Sequence, residues 1–211
     1  GRRSREQAAE AEELRRSLVD ARLHALELQL RPHFLFNTLN AITGLVRTGR
    51  GDEAIGVVAG LGDLLRYSLD HAGRQRVRLG EEVEMLTRFQ EIHRARFPDR
   101  MTFEVSVPPP LTQAAVPILI LQPLVENAVR HGVERLSGAH CIEVRAQRVG
   151  DRLQLEVANR GQLASPVSEG IGLRNTRERL RALYGDQAGF ALTQAGEQVI
   201  ARVELPFESL A

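Results

Sequence analysis

ILQPLVENAVRHG, Ile120–Gly132, places Glu126, Asn127 and Arg130 on an otherwise largely apolar helix. The helix is expected to follow a stiff break at Pro108–Pro110, with Pro117 near its first turn and Gly132 just past its end. An asparagine carbonyl is a hard oxygen ligand of the kind Mg²⁺ accepts, the ion keeping waters and substrate phosphates as its other ligands. Arg130 and His131 are placed to meet phosphate oxygens. Taken alone, the same residues also describe a polar, solvated helix face.

Downstream the period changes from helical to two. Ile142, Val144 and Ala146 alternate with polar residues, as do Leu153, Leu155 and Val157, and Gly150-Asp151 between them reads as a hairpin turn. Residues 161–170 read as a loop, 172–184 as a helix stopped by Gly185, and 188–194 and 198–205 as a second strand pair around Ala195-Gly196-Glu197. In EGIGLRNTRERL, Gly170 and Gly172 come just before that helix, where backbone N–H groups could approach a phosphate. A lone G-x-G is more often a simple turn.

Upstream, Phe103, Val105 and Val107 alternate as one strand, and everything before them reads as helix. Glu81, Glu82 and Glu84 open a helix that ends near Pro98, their charge favoured at its N-terminus. Residues 71–80 read as a polar connector, and Asp52 as the N-cap of a helix over about 53–70 after the turn at Gly49–Asp52. Residues from about 5 to 48 read as one long helix: Ala11, Leu14, Leu18, Ala21, Ala25 and Leu28 form a coiled-coil seam, and Pro32 should kink it. In LRPHFLFNTLNAI, Leu30–Ile42, His33 and Asn37 lie one turn apart on a shared face. A neutral exposed imidazole is a good nucleophile, and an amide one turn away can orient it or a water. The residues alone equally fit a surface histidine beside a core stripe of Phe34, Leu35, Leu39 and Ile42.

The 211-residue chain is 43% hydrophobic and 26% charged, the balance of a folded soluble protein, and its net charge of +1 gives no sign of nucleic-acid binding. All basic residues are arginine, which points to a GC-rich genome rather than to mechanism. A single cysteine, Cys141, rules out an internal disulfide and a cysteine-rich zinc site. Val116–Val129 is broken by polar residues and prolines well short of the ~20 apolar residues of a membrane span. The charged N-terminus is no signal peptide, and with no initiator methionine the chain reads as a cytoplasmic fragment of something longer.

In this order and on these elements, the three motifs resemble those of the LytS-like sensor histidine kinases, a group often coupled to LytTR-type response regulators, from about residue 20 to 207. RPHFLFNTLNAI is similar to that family's H-box, LQPLVENAVRHG to its N-box and GIGLRNTRERL to its second glycine box; YSL…VRLGEEVEMLTRFQEIHRARF also fits. The resemblance implies an α+β fold. Residues 1–98 would hold the coiled-coil lead-in and a helical dimerisation and phosphoacceptor hairpin. Residues 99–211 would form a GHKL (Bergerat-type) ATP-binding α/β sandwich with a mixed, mostly antiparallel sheet. It implies autophosphorylation of His33, with Asn37 beside it, by ATP and Mg²⁺. Nucleotide would be held by Glu126, Asn127, Arg130, His131, Asn159, Gly161, Gly170, Ile171, Gly172 and Leu173, and the metal by Asn127. It further implies a homodimer, transfer to an aspartate of a separate receiver domain, and membrane attachment only through a sensor region outside this chain.

The match departs from the wider superfamily at named positions. VANRGQ puts Asn159 where Asp-x-Gly has the aspartate that accepts from the adenine amino group. The amide oxygen can accept that bond without the charge, an expected loss of roughly 1 kcal/mol or somewhat more, up to about tenfold. Ser168 stands where many kinases have a first glycine, the lid between Gly161 and Gly170 is short, and Phe34 follows His33 where other kinases carry an acidic base. GHKL hydrolases place a glutamate four residues before the magnesium asparagine; here that position is Pro123, and Glu126 is adjacent to Asn127, which argues against an ATPase. A degenerate kinase serving as a dimeric scaffold is the remaining alternative. His24, His71, His93 and His140 have no ligand-like spacing and read as surface or core residues.

Overall fold

A computed structural model describes residues 32–71, 73–163 and 170–210, with side chains from Phe34 onward. The coiled-coil seam, the kink expected at Pro32, His24 and the lid residues 164–169 lie outside the described residues. Among the described residues three helices come first: α1 (Pro32–Arg47), α2 (Gly51–Asp70) and α3 (Leu79–Arg96). Each buries one stripe. Phe34, Thr38 and Leu45 face inward on α1, and Ala54, Val57, Leu64 and Ser68 on α2. On α3 the buried stripe is Leu79, Glu82, Leu86, Phe89 and His93, in threes and fours. Phe34 stacks on Phe89 at 4.8 Å between ring centroids, which fixes α1 against α3.

Helix α2 starts at Gly51, with Arg50 before it, so Asp52 lies in the first turn and is not the N-cap. The charge still opposes the helix dipole, and Arg50 closes the turn through a 2.6 Å pair with Glu53. The connector 71–80 is not all loop. It holds β1 (Arg76–Arg78), which pairs antiparallel with β3 (Ala115–Pro117), Val77 opposite Val116. Three residues with one apolar position carry too little alternation to be read as a strand. Pro117 is the last residue of β3 and not part of a helix; the missing N–H is tolerated because β3 has only one neighbouring strand.

The second half is built on a sheet in the order β2 (Met101–Ser106), β4 (His140–Val149), β5 (Arg152–Arg160), β7 (Gln198–Pro206), β6 (Gly189–Ala195). The β2–β4 pair is parallel and the others antiparallel, as expected. Gly150 and Gly196 take φ of +65° and +59° in the two hairpin turns, a conformation an L side chain resists. One face, with Ile142, Val144, Leu153, Leu155, Val157, Val203 and Leu205, is buried beneath the helices; fully burying each large aliphatic side chain contributes about 1.5–3 kcal/mol. The other face carries polar pairs such as Arg202–Glu156. Two helices matter for the site: α4 (Leu121–Ala128) and α5 (Ile171–Tyr184). α3 packs on α1 and α2 and also on α4 and β2, so one buried core runs from Phe34 to Leu205.

Candidate functional site

Helix α4 does not stop before Gly132. It widens into a π-turn, Val129–Val133, closed by the Glu134 N–H donating to the Val129 carbonyl at 3.0 Å. Such turns insert one residue and re-aim the chain beyond them. Here Gly132 comes down on Asn159, near the end of the central strand β5: a Cβ on Gly132 would sit 2.7 Å from Asn159 Nδ2 and 3.0 Å from the Arg160 carbonyl oxygen. Gly132 is therefore a contact residue inside the turn, not a stop beyond a helix. Gly161 meets the same amide from the other side, a Cβ there falling 3.2 Å from Nδ2. Asn159 itself is 3% exposed, and Nδ2 donates to the Arg160 carbonyl at 2.8 Å, an arrangement that leaves Oδ1 as the acceptor. An open cavity of about 300 Å³ begins at Gly161 and is bounded by Leu136, Arg160, Gln162 and Glu197.

The polar residues of α4 divide between two directions. Glu126 and Arg130 line a small cavity of about 60 Å³ together with Asn37 of α1, Phe34, His93 and Arg96. Gln122 donates to Glu126 at 3.0 Å, and Arg96 pairs with Glu134 at 2.9 Å. His93 is buried, neither ring nitrogen has a hydrogen-bond partner, and burial with the nearby Arg96 pushes its pKa down to about 3. It is neutral at any working pH. Asn127 is half-buried and lies outside that cavity. His131, half-buried one turn beyond it, is held below the usual imidazole range by burial and by Arg135 and Arg130. Among the described residues no cluster of three or more His, Cys, Asp or Glu side chains could hold a metal by itself. An ion at Asn127 would therefore draw on phosphate oxygens and water, which fits the donor set Mg²⁺ prefers.

Helix α5 opens on Gly170, whose carbonyl accepts from Leu173 and Arg174 at 3.1 and 3.2 Å. Ile171 is exposed, while Gly172 and Leu173 are buried. The two bonds to Gly170 occupy the amides of Leu173 and Arg174 in the first turn. α5 packs on α4. The structure thus gathers Gly132, Asn159 and Gly161 at one place and Asn37, Glu126 and Arg130 at another. For His33 it gives only the backbone position, in the first turn of α1. Of the other histidines, His71 is half-buried and bonds the Tyr67 carbonyl at 2.9 Å, and His140 is in the core.

Glu82, read as helix-start charge, and His93, read as a surface or core residue, are both buried. Both lie on the apolar stripe of α3, and a carboxylate and an imidazole at core spacing were the available signal. Among the described residues no helix is long and apolar enough to cross a membrane.

The chain matches the histidine kinase family model over residues 21–101. It is 32% identical over 187 residues to the sensor histidine kinase BtsS of Escherichia coli, covering 88% of this chain and 33% of that protein. It is 29% identical over 210 residues to the sensor protein LytS of Staphylococcus haemolyticus, covering 92% and 36%. The chain spans about a third of the length of these curated relatives. Among solved structures it resembles the histidine kinase domain of the blue-light activated kinase EL346 of Erythrobacter litoralis, with a TM-score of 0.52, 18% identity and coverage of 91% of this chain and 94% of that one. At that identity the likeness is one of fold.

Proposed function

The chain belongs to the LytS-like sensor histidine kinases, and from that premise we propose that it is an ATP-dependent kinase acting on its own His33. Residues 1–98 supply the dimerisation and phosphoacceptor part and 99–211 the nucleotide-binding part. The observation that carries the reading is the cavity shared by Asn37, one turn from His33, and by Glu126 and Arg130 of the helix that bears Asn127. It supports a direct approach of the phosphoacceptor helix to the nucleotide-binding helix.

ATP lies between α4 and the start of α5, its adenine amino group donating to Asn159 Oδ1, with Gly161 and the backbone of Gly170, Ile171, Gly172 and Leu173 alongside. Glu126, Arg130 and His131 line its polar end. Mg²⁺, held by Asn127, neutralises charge on the phosphate oxygens when bound. A ring nitrogen of neutral His33 attacks the γ-phosphorus in line. The bond from that phosphorus to the β–γ bridging oxygen breaks, ADP leaves with the electron pair, and the surplus ring proton passes to solvent. The phosphoryl group then moves to an aspartate of a separate receiver domain, one coupled to a LytTR-type output. The membrane connection lies in a sensor region outside this chain.

Asn159 offers a test of the adenine site. Asn159→Asp is expected to keep or tighten ATP binding, because a charged acceptor makes a stronger hydrogen bond. Asn159→Ala should weaken it by about 1–3 kcal/mol. Calorimetry on the three proteins decides it: equal and very weak binding by all, with no dependence on Mg²⁺, would favour a degenerate scaffold.

The reading also includes a homodimer. Phe36, Leu39 and Val46 on α1 and Ile55, Val58 and Leu69 on α2 are exposed, at spacings built from threes and fours. A Cβ at Gly62, within the α2 series, would meet nothing within 4 Å. These faces suit a four-helix bundle made from two hairpins. Light scattering at tens of micromolar is expected to give twice the chain mass, and Ile55→Glu with Val58→Glu should give a monomer. A strictly monomeric wild type would contradict it.

A further inference from the structure

Glu82 lies on the core stripe of α3 and is 3% exposed. A leucine or methionine would fill that place without desolvating a carboxylate, so its presence asks for a use beyond packing. One use is visible in its hydrogen bonds. Oε1 accepts the Leu119 N–H at 2.6 Å and Oε2 the Leu121 N–H at 3.3 Å. Leu121 is the first residue of α4, and Leu119 has φ of +53°, a left-handed conformation that leucine rarely adopts. The same turn is held from the opposite side by Arg179 of α5, which donates to the Ile118 carbonyl at 2.7 Å and the Leu119 carbonyl at 3.4 Å. Leu119 is therefore gripped at its N–H by α3 and at its C=O by α5. The Tyr67 hydroxyl of α2 reaches Glu82 Oε1 at 3.4 Å. Burial pushes the Glu82 carboxyl up, while the two amides and the charge of Arg179 act in the other direction.

We propose that Glu82 is a positioning residue for phosphoryl transfer: it ties the α2–α3 side of the phosphoacceptor hairpin to the strained turn from which α4 springs, and Arg179 locks that turn to the glycine-box helix. The proposal rests on the kinase reading above. α4 carries Glu126 and Asn127 and runs into the π-turn that carries Arg130, α5 begins at Ile171 after Gly170, and α2 packs on the helix that holds His33 and Asn37. Glu82 bonds α2 and the start of α4 directly and meets α5 through Leu119, whose carbonyl Arg179 holds, so it sets their relative placement without touching nucleotide. The adenine acceptor Asn159 belongs to β5, and neither Glu82 nor Arg179 bonds it.

The variants to make are Glu82→Gln, Glu82→Met and Tyr67→Phe. Glutamine can accept from Leu119 but turns a second donor towards Leu121; methionine keeps the core filled and removes both acceptors. Initial rates of phosphohistidine formation from γ-labelled ATP should fall at least tenfold in kcat for Glu82→Gln and more for Glu82→Met, with the KM for ATP changed less than threefold. Tyr67→Phe should lower kcat by about threefold and leave KM unchanged. Hydrogen exchange at the Leu119 and Leu121 amides should be slow in the wild type and at least tenfold faster in Glu82→Met. A labelled wild type whose Glu82 variants keep its kcat, or lose kcat and ATP affinity together along with thermal stability, would overturn the positioning role. A wild type that takes up no label would overturn the kinase reading itself, whatever the amide exchange.

Discussion

His33→Ala should reduce phosphoryl incorporation from ATP by more than a thousandfold while leaving ATP affinity within about twofold of the wild type. The imidazole is the only nucleophile in the proposed reaction, and alanine supplies no lone pair to replace it. The affinity should hold because the adenine acceptor Asn159 and the glycines packed on it, Gly132 and Gly161, belong to the sheet and the end of the α4 turn, whereas His33 opens α1. The Phe34–Phe89 stack that holds α1 on α3 is left intact by the substitution. Radiolabel incorporation and calorimetry on the same preparation check both parts. Persistent phosphoramidate in the variant would place the acceptor elsewhere, and loss of ATP binding would mean that His33 acts on the nucleotide pocket.

Gly132→Ala should be the most damaging single-methyl change in the nucleotide half. The added carbon would fall 2.7 Å from Asn159 Nδ2 and 3.0 Å from the Arg160 carbonyl oxygen, and neither is the free end of a flexible chain. Relief requires the π-turn to lift or the Asn159 amide to rotate away. Overpacking of this kind costs about 1–3 kcal/mol in stability. Moving the amide also misplaces the adenine acceptor, so ATP affinity should fall at least tenfold. Gly44→Ala on α1 is the control: its Cβ would meet nothing within 4 Å, and the change should stabilise by about 0.5–1 kcal/mol. Chemical denaturation and calorimetry on both variants make the comparison. Unchanged ATP affinity in Gly132→Ala would separate Asn159 from the nucleotide.

The strands were legible because each side of a hairpin alternates over at least three apolar positions, as in Ile142, Val144 and Ala146, with a glycine at the turn. β1 was not, because only Val77 faces inward and the arginines flanking it read as linker. Pro117 misled for a related reason. Proline suits both a helix start and an outer strand, and only the pairing of Val116 with Val77 decides between them. The site was legible as motifs but not as a layout. Spacing marked Glu126, Asn127 and Arg130 as one polar face, yet Glu126 and Arg130 line the cavity beside Asn37 while Asn127 lies outside it. Gly132 read as a helix stop because a π-turn leaves no mark in hydrophobic period. The grip of Glu82 and Arg179 on Leu119 joins residues far apart in sequence, so only their places in the fold reveal it.

Formation of phosphohistidine at His33 is the step on which the proposed activity stands. It is tested most directly by incubating the purified protein with γ-labelled ATP and Mg²⁺, then treating portions with acid and alkali and mapping the label to peptides. The expected label is lost in acid, survives alkali and lies in the peptide containing His33. No incorporation, or label that survives acid, would contradict that step.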